Sequence, residues 1–132
     1  MSFGETDLTR LLRSIQPEIH YETYVFATTR QPLNELDLNP RMTFRETEGT
    51  TLIITRHEAE SNCLSYVFPC RMITLNVHSA LEAVGFIAAV ATRLAGAGLG
   101  VNPVAGFYHD HLFVAEDQAD HAMVVLEAMA NE

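Results

Sequence analysis

Two stretches of this chain recur in the same order, and that repetition limits the fold more than any single motif does. "TRLLRSIQPEIHYETYVF" from Thr9 reads as a helix end, a breaker and a strand, and so does "TRLAGAGLGVNPVAGFY" from Thr92. Further on, "TLIITRHEA" from Thr51 has its counterpart in "HLFVAEDQA" from His111, a strand running into a helix. Identity within each pair is weak, but the order is kept, as expected when one supersecondary unit is written twice. The offsets are 83 and 60 residues, so the first copy carries 23 more residues between its strands, roughly Thr29 to Thr50. Within that insertion "MTFRE" reads as an extra strand turning at Glu48-Gly49 into "TTLIIT". "CLSYVFP" is expected to be a further strand leading into the second copy.

The second copy is the more legible. "RMITLNV" alternates, with Ile73, Leu75 and Val77 on one side and Met72, Thr74 and Asn76 on the other, the pattern of a half-buried strand. Ser79 followed by Glu82 fits the S-x-x-E capping box, which predicts a helix starting after Ser79. Val84, Ile87, Ala91 and Leu94 form its stripe, and Gly96 and Gly98 offer a left-handed stop. Phe86, Ala89 and Val90 lie off that stripe and are also apolar, which leaves a second face for a partner. In "LGVNPVAGF", Pro103 has no amide to donate, so this segment is expected at a sheet edge. "HLFVA" is another strand, and Ala119, Ala122, Met123, Leu126 and Met129 trace the face of a terminal helix. The order is β-α-β-β-α.

A βαββα unit written twice predicts an α+β protein of two ferredoxin-like halves, antiparallel sheets with helices packed on one face. The halves are expected at 1–69, carrying the insertion at about 29–50, and at 70–132. A length of 132 residues with 48% apolar composition supplies a real core. A formal charge of −9 with scattered arginines argues against nucleic acid and anionic membrane surfaces as partners. No basic region followed by an apolar one opens "MSFGETDLTRLL", and Arg93 interrupts the longest apolar stretch, so a soluble protein is expected. Cys63 and Cys70 form no CxxC motif; free thiols and a cytoplasmic location follow.

"FYHDHLFV", Phe107 to Val114, concentrates His109, Asp110 and His111 between strand-like runs. As a strand it would turn both histidines one way and Asp110 the other, two ligands of a metal site that needs a third. The local reading is the polar tip of a hairpin, where Asp favours turns. No acid/base pair, phosphate-cradling glycine loop or nucleophile motif stands out, so no catalytic residue, no cofactor and no enzyme activity are expected.

"ITLNVHSALEAVGFIAAVATRLAGAGLGVNPVAGFYHDHLFV", and above all "HSALEAVGF" with "VAGFYHDHLFV", resembles the C-terminal half of a family of small bacterial proteins with two ACT-like domains, largely of uncharacterised function. "YVFATT" and "EGTTLII" extend the resemblance more loosely to the first half. It implies a non-catalytic regulatory fold that binds small molecules, commonly amino acids, at an interface between domains; a homodimer is the expected assembly. ACT sites use the loop after the first strand, the start of the first helix and the second strand of a neighbouring domain. Here these correspond to His78, Ser79 and Ala80 and to Asn102, Val104 and Ala105. The helix terminus suits a carboxylate, and Glu82 is a candidate for the ammonium group. Many ACT domains place a glycine before this helix; "VHSALE" has none, and Gly85 is expected a turn inside the helix. Two other readings stay open: a metal-binding protein or metal-dependent enzyme centred on His109, Asp110 and His111, and a protein-protein interaction adaptor.

Overall fold

Strands form where β-branched and aromatic residues cluster, and helices where apolar residues return every three or four positions. The computed structural model describes Gly4 and residues 6–132. Helix α1 (Leu8–Arg13) is followed by β1 (Glu18–Ile19), β2 (Tyr24–Thr29), β3 (Met42–Arg45), β4 (Thr50–Thr55), α2 (Arg56–Ser61) and β5 (Tyr66–Thr74). Then come α3 (Phe86–Gly96), β6 (Asn102–Ala105), β7 (Asp110–Ala115) and α4 (Ala119–Ala130). The fold is the expected α+β one, with antiparallel ladders throughout β1–β5, β2–β4, β2–β5, β3–β4 and β6–β7. Contacts gather the chain into two compact units, Glu22–Cys70, and the chain through Tyr21 together with Arg71–Glu132. No helix among the described residues is long and apolar enough to cross a membrane.

In the Glu22–Cys70 unit the strand order is β3-β4-β2-β5. The insertion supplies β3, which turns through Glu46–Gly49 into β4 as the sequence predicts, closed by the Glu46 amide on the Gly49 carbonyl at 3.0 Å. Register pairs Val25 with Ile54 and Ala27 with Leu52, so period-2 alternation puts all four into one core with Ala59 of α2. Helix α2 opens with a full capping box: Thr55 Oγ1 accepts from the Glu58 amide at 3.1 Å, and Glu58 accepts from the Thr55 amide at 2.9 Å. "CLSYVFP" and "RMITLNV", expected as two strands, are the single strand β5. Pro69 is tolerated because it falls in a bulge. Tyr24 pairs with Cys70 and Phe26 with Val67, leaving Phe68 and Pro69 opposite Val25 alone. Phe68 takes a φ of 60° there and packs edge-on against Phe26, with ring centroids 5.8 Å apart. Both thiols are free, Cys63 exposed and Cys70 buried.

In the other unit β5 neighbours β7, and β6 pairs only with β7, so Pro103 lies on an edge strand as expected. Ile73, Leu75 and Val77 enter the core together, as their alternation predicts, and meet Leu112 and Val114 of β7. Leu11 of α1, Val90 and Leu94 of α3, and Leu126 of α4 close over them, all completely buried. Each such side chain contributes about 1.5 to 3 kcal/mol of burial free energy. Helix α4 keeps its predicted face, Ala119, Ala122, Leu126 and Met129 buried and Met123 partly so.

Helix α3 differs from expectation. It begins at Phe86 rather than after Ser79, and its buried face is Phe86, Val90 and Leu94. Val84, placed by the sequence at the head of the buried stripe, is 85% exposed. Ile87 is partly buried, and the left-handed stop is Gly98 at φ +82°.

Candidate functional site

The late start of α3 builds the site. Its N-cap is Gly85 at φ +88°, a left-handed conformation that glycine adopts without the Cβ penalty. The seven residues Ser79–Gly85 are therefore a loop, turned by the Ala83 amide on the Ala80 carbonyl at 2.9 Å. Gly85 stands before the helix, not a turn inside it as expected. Ser79 does not cap: its hydroxyl donates to Asp110 Oδ2 at 2.8 Å. The backbone at Gly4 also comes against this loop. A Cβ there would lie 2.6 Å from the Ala80 amide nitrogen, so no other residue fits without movement.

Ser79, Ala80, Phe86, Ile87, Ala105 and Asp110 line a cavity of about 220 Å³, in which Ala105 and Asp110 are cross-strand neighbours. The amides of the first helical turn have no intrahelical acceptor and stand at the positive end of the α3 dipole. Asp110 is 6% exposed and lines the same small space as the first residues of α3. One wall suits an anion and the other a cation. The cavity is below the usual range of drug-sized pockets and fits a small ligand.

The predicted site residues divide cleanly. Ser79, Ala80 and Ala105 are brought together; His78, Glu82, Asn102 and Val104 do not line the cavity. His78 packs its ring against Phe107 and Tyr108, with centroids 6.3 and 5.7 Å away, and its Nε2 is buried without a hydrogen-bond partner among the described residues. Glu82 is exposed on the loop, because the helix it was to cap begins later. Val104 pairs with His111, one position out of phase with Ala105, and Asn102 is exposed.

The hairpin tip is also displaced from its expected place. The turn is closed by the Gly106 amide on the His109 carbonyl at 2.9 Å and carries Phe107 and Tyr108, 57% and 65% exposed. Asp110 is instead the first residue of β7, and sequence reasoning missed it as part of this cavity. The signal was available: Asp110, Leu112 and Val114 share one face at period 2, which sets a carboxylate among core positions. His111 faces the other way, its Nδ1 2.9 Å from the Thr74 hydroxyl, which in turn is 2.8 Å from His20 Nε2. Among the described residues no group of three or more His, Cys, Asp or Glu side chains is disposed to hold a metal ion.

Comparison with known proteins bears on the family and the fold. An ACT domain model matches residues 3–71, and a second ACT domain model matches residues 67–128. The chain belongs to the ACT domain family. It carries two such domains in tandem, and the structure is similar to that of a Vibrio cholerae protein of unknown function described as a possible transport protein. That likeness has a TM-score of 0.85 at 44% identity and covers 93% of this chain and 95% of the other. The regulatory subunit of Thermus thermophilus aspartate kinase is similar in fold at a TM-score of 0.67 and 8% identity, over 88% of this chain and 97% of that one. E. coli aspartokinase III gives the same score and identity over 88% of this ACT protein and 33% of its own chain. At that identity the two kinase likenesses speak for the fold alone. The search of curated proteins gave no match.

Proposed function

We propose that this tandem ACT protein is a non-catalytic sensor that binds a small zwitterion of the amino-acid class in the cavity between the Ser79–Gly85 loop, the start of α3 and Asp110. The observation that carries the reading is that buried Asp110 and the first turn of α3 line one cavity of about 220 Å³. The ligand carboxylate takes the α3 amides, where the dipole favours an anion. The ammonium group takes Asp110, already held in place by Ser79. Ser79, Ala80 and Ala105 belong to this site, and Asp110 joins them in place of Glu82. His78, Asn102 and Val104 belong to its surroundings.

The regulatory role is carried over from the fold, which the aspartate kinase regulatory subunit shares. We also propose that the protein works as a cytoplasmic homodimer. Leu81 and Val84, 69% and 85% exposed on the cavity loop, are apolar surface that a second copy would cover. The sequence division at 69/70 is proposed as the boundary between the two copies of the repeat.

A thermal-shift screen against the common L-amino acids tests the site. A ligand at a hundred times its Kd adds about 2.7 kcal/mol of stability, a shift of several degrees in a domain of this size. The expected result is a shift with one or a few amino acids that Asp110→Asn abolishes, since Asn keeps the bond to Ser79 and loses the charge. No shift with any amino acid, or an undiminished shift in the variant, overturns the reading.

A further inference from the structure

A second cavity, of about 520 Å³, lies within the Glu22–Cys70 unit, walled by Glu22, Tyr24, Asn39, Arg41, Thr55 and Glu58. The Tyr24 side chain is 2% exposed, and its hydroxyl accepts from Arg41 Nε at 2.9 Å. The guanidinium carbon is 5.8 Å from the Tyr24 ring centroid. This contact orients Arg41 through Nε and leaves the pair of terminal nitrogens, which among the described residues have no carboxylate partner. Such a pair is the fork that binds a carboxylate in two parallel bonds.

The two acids of the cavity differ. Glu58 is committed: Oε2 accepts from the Asn39 amide at 2.6 Å, and Oε1 from the Thr55 amide and hydroxyl, each at 2.9 Å. Burial pushes its carboxyl up, but those bonds and His57 outweigh it and hold the group below its ordinary value. Glu22 is exposed and has no hydrogen bond or ion pair among the described residues. One cavity therefore presents a cation and an anion that form no ion pair among the described residues, the Arg41 side chain being held only through its Nε bond to Tyr24 and its contact with the Tyr24 ring.

We infer that this cavity is a second binding site, for a zwitterion whose carboxylate lies on Arg41 and whose ammonium group lies on Glu22. Its volume falls within the range of small-molecule sites and is more than twice that of the Asp110 cavity, so it accepts a bulkier side chain. Tyr24 and Pro40 are among its lining residues. Nothing in this assignment depends on the site at Asp110, which is in the other unit.

The test is NMR titration of the full-length ¹⁵N-labelled chain with each common L-amino acid, and with acetate and methylamine as half-ligands. An amino acid should shift the amides of Asn39, Arg41 and Thr55 saturably. Arg41→Gln and Glu22→Gln, both substitutions at exposed side chains, should each weaken that binding about tenfold or more, the size of a lost charge-assisted bond. Acetate and methylamine should bind far more weakly than the zwitterion. The inference falls if no amino acid moves these amides, if both variants bind like the parent, or if acetate matches the amino acid, which would mean an adventitious ion only. The amides of Ala80, Gly85 and Ile87 report the other site in the same spectra, so the failure of one site is separable from failure of the other.

Discussion

Thr55–Glu58 and Ser79–Glu82 are the same four-residue pattern, and only the first caps a helix. At Thr55 the strand β4 ends where the helix starts, and both reciprocal bonds of the box form. At Ser79 a competitor is present. Capping a helix is worth about 1 kcal/mol, whereas a hydrogen bond to a charged group is worth about 1.5 to 3. Asp110 is buried, and leaving its carboxylate without the Ser79 hydroxyl would cost more still. The hydroxyl goes to Asp110, the loop stays open, and Gly85 begins the helix six residues later. A local motif thus yields to a buried charge that arrives from 31 residues further along the chain.

Removing the competing bond should have the largest effect. Ser79→Ala leaves the Asp110 carboxylate without its donor and is expected to destabilise the protein by about 2 to 3 kcal/mol. Urea unfolding at neutral pH measures this. A cost no greater than about 1 kcal/mol would mean that Ser79 acts as an ordinary cap after all.

Gly85→Ala comes next. A Cβ at φ +88° costs about 1 to 2 kcal/mol, and the one atom within 4 Å of it among the described residues, Leu8 Cδ2 at 3.7 Å, adds no clash. The loss should appear in unfolding and in weaker amino-acid binding at the Asp110 cavity, because the first turn of α3 is anchored there. A neutral result would put the helix start back at Ser79.

These contrasts show which levels of structure the sequence discloses. Period and punctuation were legible: the β5 face at Ile73, Leu75 and Val77, the edge strand at Pro103, the turn at Glu48-Gly49 and the α4 face all follow from residues within a few positions of one another. The doubled order was legible too, because a repeat needs no knowledge of contacts. The start of α3 was not, since Asp110 decides it from a distant strand. Strand β5 was split at Pro69 because the bulge that tolerates a proline is set by its pairing with β2. The candidate site divides in the same way: Ser79, Ala80 and Ala105 were found by position in the ACT pattern, and Asp110 was passed over until its β-strand phase was known.

Thr55→Ala tests the working member of the pair. It removes the acceptor of the Glu58 amide and should cost about 1 kcal/mol, less than Ser79→Ala, although Thr55 is the residue in a true capping box. If the order of the two costs were reversed, the competition argument would fail.

The smallest effect separates the two glutamates by pH. Glu82 is exposed and uncommitted, so Glu82→Gln should change stability by no more than about 0.5 kcal/mol at neutral pH. Glu58 accepts three bonds that favour its ionised form, and its carboxyl is held below the ordinary value of 4.5. A lowered pKa in the folded state stabilises the protein above the unfolded value, and that contribution disappears as pH falls through the folded one. Glu58→Gln keeps a capping amide but loses the charge, so the variant should be less stable than the parent at neutral pH, and the two unfolding curves should converge in acid. Because much of the Glu58 carboxyl is solvated, the gap is narrowed by screening and should shrink further in high salt. A gap that persists below the folded pKa would assign the loss to packing rather than charge. The Glu82→Gln unfolding curve should overlay the parent's at neutral pH, since the capping box that Glu82 would complete does not form.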